Sequence, residues 1–143
     1  MNEQRKELIE ALAGSFFKIG RSVNQQLFQS KNSHSLTPPQ FYILFVLKKQ
    51  GRMTVSQLGQ LLELTSGATT TATNRLEEVG YILRTRDLED RRVVWLEITR
   101  EGIVMIESSL DKRNEIWGEF LDELDLSELK SLQSLLGKVK KEL

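Results

Sequence analysis

Eight consecutive residues, Gly67-Ala68-Thr69-Thr70-Thr71-Ala72-Thr73-Asn74, are small or hydroxylated. Three adjacent threonines are poor helix material, because β-branching restricts χ1. A helix that served only a core would gain from Leu or Glu there. Small side chains let another molecule come close, and hydroxyls hydrogen-bond phosphates or base edges. Nucleic-acid contact is the chemistry this run suggests. A tight helix–helix contact or a weak surface helix is the alternative.

Little else in the chain points to a reaction. The single histidine, His34, falls in the polar stretch Lys31 to Ser35, read as a loop, with no nucleophile or metal partner near it. Asp122, Glu123 and Asp125 read as a solvated helix end rather than a metal site. No Gly-rich phosphate loop, zinc-ligand spacing or nucleophile elbow is present. The expectation is a protein that is not an enzyme, with no catalytic residue, metal or cofactor. The absence of Cys removes a disulfide framework, a Cys-based zinc site and a thiol redox switch.

The length of 143 residues fits one domain, or one core with helical extensions. Net charge is zero, which lends no support to a polyanionic partner. The distribution is more useful. Residues 101–143 carry six Lys or Arg against ten Asp or Glu, which leaves fourteen against ten in residues 1–100. This mild asymmetry permits a local DNA-facing surface. No apolar stretch is long enough for a signal-peptide core or a membrane span, so a cytoplasmic location is the default expectation.

The elements that must position the hydroxyl run are legible from spacing. Leu8, Leu12, Phe16, Ile19, Val23 and Leu27 lie on one face of a helix over 5–30. That stripe is either core or a partner-helix seam. Thr37 caps a second helix with Pro38 at its first position, and Gly51 ends it. Thr54 and Gln57 form a capping box for a short helix that buries Leu58, Leu61 and Leu62. After a turn at Glu63-Leu64, Thr65 or Ser66 caps a helix running to Val79, anchored by Leu76 and Val79. Two short helices joined by a tight turn make a helix-turn-helix candidate. Tyr81–Arg86 and Val93–Ile98 read as the strands of a hairpin with a charged tip, Asp87-Leu88-Glu89-Asp90-Arg91-Arg92. Thr99 caps a long helix over about 100–124, and Ser127 caps a last one. On that last helix Leu129, Leu132, Leu136, Val139 and Leu143 form a short heptad-like seam. The fold class is mainly α, an α+β winged helix.

The chain resembles the MarR family of bacterial regulators. The resemblance is carried by Leu36-Thr37 with Gln40, Leu58, Thr70, Arg75-Leu76, Gly80-Tyr81, Arg84, Arg86, the Asp87–Arg92 tip and Leu96-Glu97-Ile98-Thr99-Arg100-Glu101-Gly102. It implies one domain over 1–143, with 36–99 as a winged helix-turn-helix, its wing at 81–98. The segments 5–30 and 100–143 are then dimerisation helices, with Leu8, Leu12, Phe16, Ile19, Leu129, Leu132, Leu136 and Val139 in the interface. The implied partners are a second copy of the chain and a pseudo-palindromic duplex, with no membrane. The implied function is sequence-specific repression, relieved by a small aromatic ligand. A winged helix that binds protein rather than DNA is the alternative, favoured by the zero net charge.

The resemblance also implies the roles of single residues. Ser66, Gly67, Thr69, Thr70, Thr71, Asn74 and Arg75 would face the major groove. Similar proteins often carry Arg where Thr71 stands, so a guanine reader is missing, and threonine methyls favour contact with thymine. Arg92 would enter the minor groove, its guanidinium fixed by Asp90. Arg84, Arg86 and Arg91 would contact phosphates. Phe16, Phe17, Phe41, Tyr42 and Trp117 would line a ligand pocket between the helical base and the winged helix, although each taken singly also reads as core.

Overall fold

The computed structural model describes residues 2–29 and 35–139. His34 and Leu143 lie outside the described residues. The elements run α1 (Glu3–Phe28), α2 (Pro38–Gln50), β1 (Met53–Thr54), α3 (Val55–Leu61), α4 (Ser66–Glu78), β2 (Ile82–Arg86), β3 (Val94–Ile98), α5 (Arg100–Phe120) and α6 (Leu126–Leu136). The sheet is antiparallel in the order β1-β3-β2, with Thr54 opposite Trp95 and Arg84 opposite Leu96.

The helix ends follow local chemistry. Thr37 caps α2 in a capping box with Gln40, and Pro38 takes the first helical position. Thr54 and Gln57 cap α3 reciprocally, with hydrogen bonds of 3.0 and 3.1 Å. The Thr65 hydroxyl accepts the Ala68 N–H at the start of α4, and the Thr99 hydroxyl accepts the Gly102 N–H at the start of α5. Gly51 and Gly80 close α2 and α4 at φ 83° and 81°, a region that glycine enters without Cβ strain.

One core binds these elements. Ile43, Leu44 and Leu47 of α2 pack with Leu58, Leu76, Ile82, Leu96 and Ile106, all essentially without solvent contact. α2 therefore runs through the centre, with α3, α4, the sheet and α5 around it. The Lys48 ammonium meets Glu107 at 3.0 Å and adds a surface tie between α2 and α5.

Several expectations are corrected. Leu61 and Val79 were read as buried anchors, yet both are exposed, and it is Leu58 of α3 with Ala72 and Leu76 of α4 that enter the core. The last helix is capped by Asp125, not Ser127. The Asp125 carboxylate accepts the Glu128 N–H, and Glu128 reaches back to the Asp125 N–H. α5 ends at Phe120, four residues early, and it buries Ile106 and Ile116. β1 was absent from the reading, since two residues carry no periodicity.

α1 divides along its length. Its C-terminal end buries Val23 and Leu27, while Leu8, Ile9, Leu12, Phe16 and Phe17 stay between 44% and 70% exposed. α6 is apolar on one face but buries no residue at all.

Candidate nucleic-acid interface

The hydroxyl run lies on α4, as expected, but it splits between two faces. Thr69 and Thr73 turn inward, 1% and 0% exposed. The Thr69 hydroxyl donates to the Thr65 carbonyl at 2.9 Å, and the Thr73 hydroxyl donates to the Thr69 carbonyl at 2.9 Å. This back-bonding satisfies a buried hydroxyl without leaving the helix. Thr69 also packs against α3, where a Cβ on Gly59 would lie 3.0 Å from its hydroxyl. Thr69 is thus a seam between α3 and α4 and presents no surface to a duplex, contrary to expectation. Ser66, Gly67, Thr70, Thr71, Asn74 and Arg75 remain on the outer face.

Arg84 is the second correction. It was expected at a phosphate, but β2 aims it at α4. Its Nε lies 2.7 Å from Glu77 Oε2, off the line of a hydrogen bond, and its Nη2 donates to Thr73 Oγ1 at 3.1 Å and to Asn74 Oδ1 at 2.5 Å. A guanidinium so engaged fastens α4 to the hairpin. Asn74 stays exposed but spends its carbonyl oxygen on this tie. Arg75 is exposed and pairs with Glu78 at 3.2 Å, a surface contact that a phosphate can displace.

The hairpin tip is organised by two carboxylates. Asp87 Oδ1 accepts the backbone N–H groups of Glu89 and Asp90 at 2.9 and 3.0 Å. Asp87 Oδ2 accepts the Trp95 indole N–H at 2.9 Å. That indole bond, then the two backbone bonds, hold the Asp87 carboxyl below the usual carboxylate range. Asp90 takes Arg92 in a two-pronged grip, Nε to Oδ1 at 3.0 Å and Nη2 to Oδ2 at 3.1 Å, as the resemblance implied. The Arg92 guanidinium is the main cause of a lowered Asp90 pKa, with its backbone N–H second. The Arg92 side chain is nevertheless 91% exposed, so the grip orients it without covering it. Arg86 donates to the Arg91 carbonyl at 3.1 Å, and both side chains stay on the surface. Asp87, Trp95 and Glu77 were missed as organisers. Asp at the first position of a turn was a readable signal, since its carboxylate bonds backbone N–H groups further on.

The five residues expected to line a ligand pocket do not converge. Phe16 and Phe17 line an open groove of about 550 Å³ along α1 that reaches Pro38. Tyr42 lines another, of about 560 Å³, with Pro38, Pro39 and the α3–α4 turn. Phe41 lines neither. It is buried, edge-on to Phe28 and Tyr42 and stacked 6.5 Å from Phe45, so it is core. Trp117 lies on α5 beside Phe120 and lines neither groove.

Capped helix, turn, helix, then hairpin around a three-stranded sheet defines a winged helix-turn-helix protein. A family model described as the MarR family matches residues 36–94. The organic hydroperoxide resistance transcriptional regulator of Bacillus subtilis is 32% identical over 120 residues, 84% of this chain and 80% of its own length. The HTH-type transcriptional repressor MdtR of the same organism is 29% identical over 133 residues, 93% of this chain and 86% of its own. A MarR family protein from Bacillus stearothermophilus superposes with a TM-score of 0.78 at 27% identity, covering 97% of this chain and 95% of that one. The chain belongs to the MarR family and is a DNA-binding transcription regulator, not an enzyme. No helix among the described residues is long and apolar enough to cross a membrane.

Proposed function

We propose that the chain works as a cytoplasmic homodimer that represses transcription from a pseudo-palindromic operator and is released by a small aromatic effector. The outer face of α4 enters the major groove, and Arg92 enters the minor groove beside it. One observation carries this reading: a guanidinium gripped at two points by Asp90 yet almost wholly exposed at a hairpin tip. Such a cation is preorganised for the concentrated negative potential of a narrow minor groove. Arg75, Arg86 and Arg91 supply phosphate contacts around it.

The dimer reading rests on unsatisfied apolar surface. Leu8, Leu12, Phe16, Leu135, Leu136 and Val139 are all exposed in one chain, and Leu129 and Leu132 are half-buried. A second copy covers such faces, with α1, α5 and α6 as the base and residues 36–99 as the DNA-binding unit. It also walls off the Phe16–Phe17 groove, whose volume falls within the range of small-molecule sites. An aromatic effector seated there would lie between the helical base and α2.

The test is binding to duplex DNA from around the protein's own gene, against scrambled duplex, across a salt series. Selective binding with a steep salt slope at two subunits per site supports the reading. Arg92→Ala is expected to weaken binding by about 10- to 100-fold with the dimer intact. Unchanged binding by that variant removes Arg92 from the interface. Absence of selective binding, repeated with a random duplex library, removes the operator.

A further inference from the structure

We propose that Trp95 and Arg52 are positioning residues for the wing, acting through Asp87 on the presentation of Arg92. The inference rests on the reading of Arg92 as a DNA contact.

The Asp87 carboxylate faces two ways. Oδ1 holds the N–H groups of Glu89 and Asp90, and so shapes the turn from which Asp90 grips Arg92. Oδ2 takes the Trp95 indole N–H from β3. One side chain therefore ties the tip to the sheet. The hairpin closes beneath it, where the Asp87 N–H reaches the Val93 carbonyl and the Val93 N–H reaches the Asp90 carbonyl, each at 2.9 Å.

The indole is itself held from its other side. The Arg52 guanidinium carbon stands 4.6 Å from the Trp95 ring centroid, within cation–π range. Arg52 lies between Gly51, which closes α2, and β1, whose Thr54 pairs with Trp95. A route of direct contacts therefore runs from the end of the central helix through Arg52, Trp95, Asp87 and Asp90 to Arg92. Phe at position 95 would fill most of the space but leave Asp87 Oδ2 without its donor. The carboxylate would then be held by the tip alone, through Oδ1, and the tip would lose its tie to the sheet.

The experiment is a double-mutant cycle on duplex affinity, with Trp95→Phe, Arg92→Ala and the combination, each checked by thermal unfolding. Trp95→Phe is expected to cost about tenfold in affinity, the scale of one lost hydrogen bond to a charged group, and to lower the unfolding temperature modestly with the fold retained. In the Arg92→Ala background it should cost almost nothing further, because Trp95 acts through Arg92. A residue that merely supports folding would give a loss that adds in full. Asp87→Asn covers the case in which Trp95→Phe unfolds. It removes a negative charge, which alone favours a polyanion, so a loss of affinity there reports the lost carboxylate acceptor. The indole N–H resonance of Trp95 should also shift in Asp87→Asn while that of Trp117 stays. Wild-type affinity in both variants, or full additivity with Arg92→Ala, overturns the proposal. If Arg92→Ala itself binds as wild type, the underlying reading of the wing fails instead.

Discussion

Arg84 of β2 and Glu77 of α4 stand 2.7 Å apart, Nε to Oε2, and the Arg84 guanidinium also holds Thr73 and Asn74. Helix α4 is thus locked to the hairpin that carries Arg92. Arg84→Ala should destabilise the fold by ~1–2 kcal/mol, the scale of a part-buried charged contact. It should weaken duplex binding while leaving the salt slope unchanged, because the guanidinium is spent inside the protein. A slope shallower by about one would instead make Arg84 a phosphate contact.

Gly102 bears on how the wing joins α5. A Cβ there would stand 2.2 Å from the Tyr81 carbonyl oxygen and 2.8 Å from Ile98 Cγ1. Tyr81 cannot retreat, since its carbonyl accepts the Thr99 N–H at 3.0 Å. Gly102→Ala is expected to cost about 3 kcal/mol or more, the upper range of overpacking. Chemical denaturation measures it, and a loss under 1 kcal/mol would show that the α5 start can slide.

Much of this arrangement was readable in advance, because caps and turns are local. Thr54, Thr65 and Thr99 announce helix starts, and Gly51 and Gly80 announce ends. What escaped depends on tertiary direction. Thr69 and Thr70 are adjacent and chemically identical, yet one is buried against α3 and the other faces solvent. Only the helix's rotation about its axis decides which. The partners of Arg84 escaped for the same reason: whether a strand arginine meets Glu77 depends on which face of β2 it occupies. Phe41 was placed at a pocket because aromatic type alone does not separate lining from core. Asp125 outcompeted Ser127 because its carboxylate matches Glu128 three residues on, a pairing that was there to be read.

Acid should loosen the wing in a defined direction. Asp87 and Asp90 both have carboxyl pKa values below the ordinary range, the first chiefly through Trp95 and the second chiefly through Arg92. Folding therefore favours their ionised forms. The stability they contribute is complete above the unfolded carboxylate value, about 4, and is lost as pH falls through the lower folded values. Between pH 8 and about 5 these two groups should leave stability flat. The acid limb of an unfolding series should be shallower in Asp87→Asn than in wild type. An equal limb would mean that the indole and backbone bonds do not favour the charged form.

The exposed half of α1 makes a prediction about assembly. Leu8, Leu12 and Phe16 lie on one stripe and remain at least 53% exposed in a single chain. Leu12→Glu should leave the core intact, since Leu12 is 56% exposed and stands outside the core cluster. A carboxylate buried at an interface is strongly unfavourable, so the variant should sediment as a monomer where the wild type sediments as a dimer. Its duplex affinity should then fall, because each half-site is engaged alone. A dimeric Leu12→Glu would move the seam elsewhere.

Thr71 offers a gain rather than a loss. It lies on the outer face of α4 with Gly67, Thr70 and Asn74, all of them shorter than an arginine. Its methyl suits the C5-methyl of thymine, whereas an arginine there spans both acceptors of guanine. Thr71→Arg should leave stability equal or a few tenths of a kcal/mol higher, since Arg is the better helix former. In a selection from random duplexes it should enrich a G·C pair in each half-site. That pair should be worth ~1–3 kcal/mol of discrimination, in the range of one bidentate contact. The added charge should also tighten binding at low salt and steepen the salt slope by about one. Enrichment without a steeper slope would mean that the arginine reads the base without neutralising a phosphate. Neither change would mean that this face of α4 does not lie against the bases, and the contact surface would then have to be sought in the wing alone.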